Sequence, residues 1–449
     1  MPDLSSTEAL LTRAKEWVLA ATDADLVKPW DAKGYKMPGG TPYHPAGFMT
    51  FVGASAMVMG KTMGVYPAAK ALLAAVYEGA LVPFDTALKI EARQFTSVLM
   101  NPSSTAMIRS LFINKEALEK GANRPRLADQ SVRHLGVLGA GMMGAGIAWA
   151  QASRGIATVL KDVSTEKAEA GKAYSAKLTQ ARVDKGRMTA EAQQALLARI
   201  TPTASAADLA GCDLIIEAVF ESRDLKAKVT REAEPQLAPG GFFASNTSTL
   251  PISGLATASS RPEKFVGIHF FSPVDKMKLV EIIRGKSTDD ESVARAFDYV
   301  QALGKFPIVV NDSRGFFTSR VFGTFVMEGA AMLGEGIPAA AIENAGIQAG
   351  MPVGPLAVLD ETALTLSLHV MDQTQKDFEA EGKTYIATPG ELVVEKMVKQ
   401  HNRPGRAGGA GFYEYPSEKG AKKFLWPELK GLFEKPDVAW NITDLKDRL

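Results

Sequence analysis

Apolar and polar positions along the chain change rhythm twice. Up to about Pro125 the pattern is helical, apart from a stretch at Lys28 to Gly47 dense in Pro and Gly. Between Tyr66 and Leu118 apolar residues recur three and four apart, as in Ala69, Leu72, Leu73 and Val76, and again in Met107, Leu111 and Phe112. Met57, Met59 and Met63 keep helical spacing too, which assigns them to core filling rather than to a soft metal or partner-binding stripe. Near His134 short β-rich runs begin to alternate with amphipathic stretches, the rhythm of βαβ units. Strands are expected at Leu135 to Leu138, Thr158 to Lys161, Leu214 to Val219, Phe242 to Ser245, Phe265 to Phe270, Leu279 to Ile283 and Pro307 to Val310. From Gly315 to about Gln400 the β rhythm stops, and Val321, Phe325, Met332 and Leu333 return to helical spacing. A turn-rich tail follows.

A chain of 449 residues has room for two or three packed domains. Lys and Arg number 51 against 50 for Asp and Glu, a formal charge of +1, so no overall field would hold the chain on nucleic acid or an anionic membrane. The single cysteine, Cys212, permits no internal disulfide and no cysteine cluster, and its place before Asp213-Leu214-Ile215-Ile216 assigns it to packing rather than catalysis. No run approaches the ~18 apolar residues of a membrane span. Met1 to Leu11, with Asp3 and Glu8, lacks a basic-then-apolar signal pattern.

The first expected strand, Leu135 to Leu138, runs into Gly139-Ala140-Gly141-Met142-Met143-Gly144 and then a helix rich in Ala and Gly. Strand, G-x-G-x-x-G and helix together are the setting of a dinucleotide site. Gly139 allows the tight turn, Gly141 lets backbone approach a pyrophosphate, and Gly144 lets helix and strand pack closely, while N–H groups at the helix start, Met142 and Met143 included, face the phosphate charge. Asp162 ends the next strand, 23 residues beyond Gly139, where a carboxylate accepts the adenosine ribose hydroxyls. It should favour NAD over NADP, with Lys161 able to soften the repulsion of a 2′-phosphate. The fold class is thus α/β, a doubly wound, mostly parallel Rossmann-type sheet, followed by an all-α domain and preceded by a helical segment.

Polar sets follow the later strands, at the carboxyl ends where an open parallel sheet places its ligand crevice. They are Glu221 with Lys226, Asn246-Thr247-Ser248, and His269-Phe270-Phe271-Ser272-Pro273. A histidine inside an apolar strand is, taken alone, more often a hydrogen-bonded core residue. Alcohol oxidation needs a group that takes the hydroxyl proton as hydride leaves, and imidazole titrates in the right range. Glu281 lies in the otherwise apolar Leu279-Val280-Glu281-Ile282-Ile283, where a charge is costly unless paired. If the two strands meet, Glu281 fixes the imidazole tautomer and stabilises the imidazolium; the alternative is a structural salt bridge to a lysine.

These residues, with Arg314-Gly315-Phe316-Phe317 and Met351-Pro352-Val353-Gly354-Pro355, resemble the 3-hydroxyacyl-CoA dehydrogenases, specifically the large α-subunit of the multifunctional fatty-acid β-oxidation complex. The resemblance implies NAD-dependent oxidation of an L-3-hydroxyacyl-CoA, with His269 as general base oriented by Glu281 and Ser248 hydrogen-bonded to the reacting oxygen. It implies that Glu221, Lys226 and Asn246 line the nicotinamide end, and that Ser272 and Ser319 lie at the substrate, each serine standing where the short enzymes of the family carry asparagine. Residues 1–127 look like the end of a hydratase and its linker, 128–313 like the NAD-binding domain, 314–416 like the helical domain, and 417–449 like the opening of a second helical repeat. No hydratase activity is expected. The implied partners are the acyl-CoA substrate, a thiolase β-subunit and a second copy of the chain, with no nucleic acid and no transmembrane segment; the implied location is the cytoplasm, with mitochondria left open. Two other readings stand beside this one: a dehydrogenase of free 3-hydroxy acids, and a non-catalytic NAD-binding scaffold.

Overall fold

The computed structural model describes residues 7–128, 131–418 and 420–449. Met1 to Ser6, the first part of the segment read for a targeting signal, lies outside them. Two compact units emerge, one of residues 7–110 with 346–352, the other of residues 111–128, 131–345, 353–418 and 420–449.

The first unit is helical, with helices at Thr7–Ala20, Pro45–Thr62, Pro67–Gly79 and Phe84–Leu99. Its spacing forms the helices but does not bury them. Met57, Met59 and Met63 are 61%, 48% and 52% exposed, which corrects the expectation that they fill a core. Periodicity defines an apolar face, whereas burial needs a second layer, and within this unit the Pro45–Thr62 helix buries only Gly47.

The second unit is built on an eight-stranded sheet in the order β3-β2-β1-β4-β5-β6-β7-β8. The strands are β1 (His134–Leu138), β2 (Ala157–Lys161), β3 (Ile200–Thr203), β4 (Cys212–Glu217), β5 (Leu237–Ser245), β6 (Phe265–Phe270), β7 (Leu279–Arg284) and β8 (Phe306–Asn311). Pairing is parallel throughout except between β6 and β7, which run antiparallel. Helices cross over both faces, so central strands are buried on each side and read as continuous apolar runs, as in Leu214-Ile215-Ile216. Cys212 is fully buried in one of these layers, and burial followed by the charge of Asp213 pushes its thiol up to about 12. β3 is the strand that the rhythm does not reveal. It is four residues long and contains Pro202, tolerable because β3 is an edge.

After β8 the chain is helical, with Thr318–Glu335, Ala339–Ala349, Pro355–Thr362, Leu364–Ala380 and Pro389–Lys399. Phe325, Leu333, Ile342, Leu356, Val394 and Met397 form its core. Leu429, Phe433 and Leu445 of the tail share that core, and Arg448 ion-pairs with Glu328 and Glu335 of the first helix. Among the described residues no helix is long and apolar enough to cross a membrane.

Candidate active site

The chain passes from β3 at one edge to β4 beside β1, and this reversal opens a crevice at the carboxyl ends of β1 and β4. Gly139 ends β1 at φ +89°, and a side chain there would lie 2.8 Å from the Ala218 carbonyl oxygen. A Cβ on Gly144 would stand 1.7 Å from the Gly139 carbonyl oxygen, so the helix beginning at Met142 packs on the turn only because residue 144 is glycine. Around Gly141, by contrast, a Cβ would meet nothing within 4 Å. No side chain among the described residues caps that helix, so its first N–H groups have no side-chain acceptor at the N-cap.

A cavity of about 300 Å³ continues from this turn, lined by Gly139, Gly141, Asp162, Val219, Phe220 and Glu232 among others. The Asp162 carboxylate accepts the Ala140 and Val163 N–H groups, each at 2.7 Å, which fixes it at the rim with lone pairs to spare. Lys161 Nζ is held by Glu232 Oε1 at 3.1 Å. The two charges therefore offset each other, and the rim presents the Asp162 carboxylate beside that ion pair. Uncapped helix, bare glycine backbone and fixed acid fit a dinucleotide with free ribose hydroxyls and no 2′-phosphate.

At the other end of the crevice, the antiparallel register of β6 and β7 sets His269 directly opposite Glu281. Paired positions share a face of the sheet. His269 Nδ1 lies 2.7 Å from Glu281 Oε2, with the His269 side chain 6% exposed and that of Glu281 fully buried. The remaining lone pairs of Glu281 are also used. Oε1 accepts the N–H groups of Phe317 and Thr318 at 3.1 and 2.9 Å, and Oε2 accepts the Thr318 hydroxyl at 2.6 Å. Burial would raise this carboxyl, but the hydrogen bonds from His269 and Thr318 outweigh it and hold Glu281 below the ordinary glutamate value. The same contacts tie the start of the Thr318–Glu335 helix to the sheet. Phe271 and Phe316 pack on the imidazole at 4.5 and 6.0 Å between ring centres, leaving Nε2 as the nitrogen not taken by Glu281.

Between the two ends stands a buried polar network. Lys226, expected at the nicotinamide, is 2% exposed, and its Nζ binds Glu217 at 2.9 and 3.0 Å and Glu221 at 3.2 Å. Its ammonium is thus saturated by carboxylates, and it serves the crevice by holding Glu221. Burial drives the Glu217 carboxyl up against the pull of Lys226 and of the hydrogen-bonded Ser245 hydroxyl. Burial acts likewise on Glu221, but Lys226 and the Thr247 hydroxyl at 2.5 Å bring it below its usual range. Glu221 Oε1 also accepts the N–H groups of Ser248 and Thr249, both at 3.2 Å, and so shapes the loop after β5. Asn246 Oδ1 accepts the Phe270 N–H at 2.8 Å, locking the end of β5 to the end of β6 beside His269.

Ser248 is exposed on a cavity of about 190 Å³ shared with Met143, Glu221, Asn246 and, from the Leu364–Ala380 helix, Leu366, His369 and Gln373. Among the described residues its hydroxyl makes no hydrogen bond to His269. Ser272 is exposed, with Oγ 3.5 Å from Met142 Sδ, so it stands at the start of the dinucleotide helix. Ser319 sits half-buried in the first turn of the Thr318–Glu335 helix. Glu217 and Thr318 are the functional residues that sequence reasoning missed. Glu217 carried the same signal as Glu281, an acid against an apolar run; Thr318 carried none.

Residues 134–313 match the 3-hydroxyacyl-CoA dehydrogenase, NAD binding domain, and residues 315–415 match the 3-hydroxyacyl-CoA dehydrogenase, C-terminal domain. Among solved structures, the (S)-3-hydroxybutyryl-CoA dehydrogenase PaaH1 of Ralstonia eutropha is similar at 34% identity and a TM-score of 0.58, covering 64% of this chain and 100% of that one. The 3-hydroxybutyryl-CoA dehydrogenase of Escherichia coli K12 is similar at 30% identity and a TM-score of 0.59, over 65% of this chain and 61% of that one. The fatty acid oxidation complex subunit alpha of Pseudomonas syringae pv. tomato is 35% identical over 374 residues, 83% of this chain. This chain spans about half the length of the curated relatives it matches, 51% for that protein.

Proposed function

The chain belongs to the 3-hydroxyacyl-CoA dehydrogenase family, and on that premise we propose that it oxidises an L-3-hydroxyacyl-CoA to the 3-oxoacyl-CoA with NAD, within fatty-acid β-oxidation. The observation that carries this is the buried His269–Glu281 pair, 2.7 Å apart on opposed strands of a dinucleotide-binding sheet.

Bound NAD supplies the hydride acceptor. His269 donates Nδ1–H to Glu281, which leaves the Nε2 lone pair to take the proton of the 3-hydroxyl. Glu281 stabilises the imidazolium that results and, being held by Phe317 and Thr318, cannot turn away. Ser248 Oγ hydrogen-bonds the reacting oxygen from the crevice mouth. Asn246 and the Glu217–Lys226–Glu221 network hold the strand ends and the Ser248 loop in place. The phenylalanine rings over His269 exclude water from the proton transfer. In this reading residues 128–313 carry the coenzyme and the dyad, and 314–416 supply the facing wall.

Oxidation of NADH with acetoacetyl-CoA tests the proposal, run beside free acetoacetate. Turnover with the thioester is expected. Preference for the free acid would favour a free-acid dehydrogenase, and no turnover with either would favour a scaffold that only binds NAD.

Coenzyme selection follows from Asp162. Replacing Asp162 by serine removes the acceptor for the ribose hydroxyls and the charge that repels a 2′-phosphate. NADH should bind about tenfold more weakly, and its advantage over NADPH should shrink by at least as much. Fluorescence titration with both coenzymes would measure this; an unchanged preference would contradict the assignment of Asp162.

Relatives named as the α-subunit of a fatty acid oxidation complex support an assembly for this chain too, for which the family resemblance implies a thiolase β-subunit as partner, and their bacterial origin supports the cytoplasm. Self-association is expected through apolar side chains of the helical part, since Phe317, Val321 and Phe322 are 56%, 53% and 39% exposed. A stable monomer in light scattering at micromolar concentration would refute it.

A further inference from the structure

Lys305 lies in the turn between the Asp290–Ala302 helix and β8 and is only 8% exposed. Its Nζ donates to the backbone carbonyls of Val274 and Met277, both at 2.6 Å. A buried ammonium ordinarily finds a carboxylate; this one, among the described residues, is bonded to main-chain oxygens instead. The charged groups around it are Lys278 and Asp275 on the loop it binds, and Arg154 beyond the end of the dinucleotide helix. Each has its own contact: Lys278 with the Gly304 carbonyl at 3.3 Å, Arg154 with the Leu303 carbonyl at 3.1 Å, and Asp275 with the Tyr174 hydroxyl at 2.9 Å. Burial, and then the like charges of Lys278 and Arg154, draw Lys305 down to about 8 against the opposing pull of Asp275. A cation is kept where its surroundings work against it, and what it does there is tie down one loop.

That loop, residues 271–278, joins the strand of His269 to the strand of Glu281. It also reaches the coenzyme side. Val274 is 2% exposed and fills the space beside Gly146 of the dinucleotide helix, 2.9 Å from where a Cβ would stand. Ser272 touches Met142 at the start of the same helix. We propose that Lys305 is a positioning residue for the dehydrogenase reaction, its ammonium clamping the 271–278 loop against the dinucleotide helix so that bound coenzyme and the His269–Glu281 pair keep a fixed spacing. The inference rests on the function proposed above. Strand register and Thr318 hold the pair itself without Lys305. Its loss should therefore appear in coenzyme binding more than in the chemical step.

The test is NADH fluorescence titration of the full chain and its Lys305→Met and Lys305→Arg variants, with steady-state rates on acetoacetyl-CoA and hydrogen exchange of the loop. In Lys305→Met the NADH dissociation constant should rise about tenfold, while kcat at saturating NADH falls by less than about threefold. Lys305→Arg, which keeps charge and donors, should return the dissociation constant to within about threefold of the parent. Exchange should quicken in 271–278 of the methionine variant and stay slow in the core strands. If that variant does not fold, Lys305→Gln, neutral but still a donor, carries the same comparison. Unchanged NADH affinity without the charge, equal loss in the arginine variant, or protection lost throughout the sheet would each overturn the proposal. A parent that binds NADH but does not reduce acetoacetyl-CoA would instead overturn the function, and the titration would still decide the role of Lys305.

Discussion

Replacing His269 by alanine is expected to lower kcat with acetoacetyl-CoA by about 10²–10⁴-fold, the range that a positioned general acid–base contributes. NADH affinity should be almost unchanged, because the glycine turn and Asp162 lie at the far end of the crevice, on β1 and β2. The fold should persist as well: His269 is one residue of a buried strand whose neighbours Ile268 and Phe270 are 0% and 1% exposed and keep their packing. The variant does leave Glu281 without the hydrogen bond from imidazole. Three donors still serve that carboxylate, from Phe317 and Thr318, so the charge is not stranded. Stopped-flow oxidation of NADH with a parallel NADH titration separates the two effects. A variant that kept a tenth or more of the parental kcat would remove His269 from the proton transfer.

How far this pair was legible in the sequence has a physical reason. Glu281 interrupts an apolar run, and burial makes an unpaired carboxylate expensive, so a partner had to exist; only 12 residues separate it from His269, and the short connection makes the two strands adjacent and antiparallel. Glu217 met the same rule at the end of Leu214-Ile215-Ile216, but its partner Lys226 had been assigned to the coenzyme, and nothing local distinguishes a lysine that faces a ligand from one enclosed by two carboxylates. Thr318 and Lys305 were not legible because their partners come from other elements: a carboxylate 37 residues away for one, main-chain carbonyls for the other. The Gly139–Gly144 turn was fully legible, since a positive φ and a 1.7 Å approach admit only glycine. β3 escaped for the opposite reason, because edge pairing lets a four-residue strand containing Pro202 form where propensity opposes it. The exposed methionines of the first unit mark the other limit, as spacing specifies a helix face but not what lies against it.

Glu281→Gln is the second large effect expected, and it separates orientation from anchoring. Glutamine keeps the shape and one acceptor oxygen, so the Phe317 and Thr318 N–H groups retain a partner and the start of the Thr318–Glu335 helix should stay in place. The amide nitrogen would then face imidazole Nδ1. Two donors cannot share that contact, so His269 is driven to the tautomer with its proton on Nε2, and the base is lost where the substrate needs it; a loss on the order of 10³–10⁴ in kcat is expected from tautomer and electrostatics together. Glu281→Ala should lose similar activity and in addition about 1 kcal/mol of stability, because two half-buried N–H groups lose their acceptor. The carboxylate also sets an acid limit on the fold. Since Glu281 is held below the ordinary glutamate value, it contributes stability that is complete above that value and is lost as pH falls through the lowered one. Urea midpoints measured from pH 7 down to pH 3 should therefore fall less steeply for Glu281→Gln than for the parent. Parental kcat in the glutamine variant would show that the carboxylate does not orient His269, whereas lost activity with an unchanged acid profile would leave the orientation intact and remove the anchoring role from Glu281.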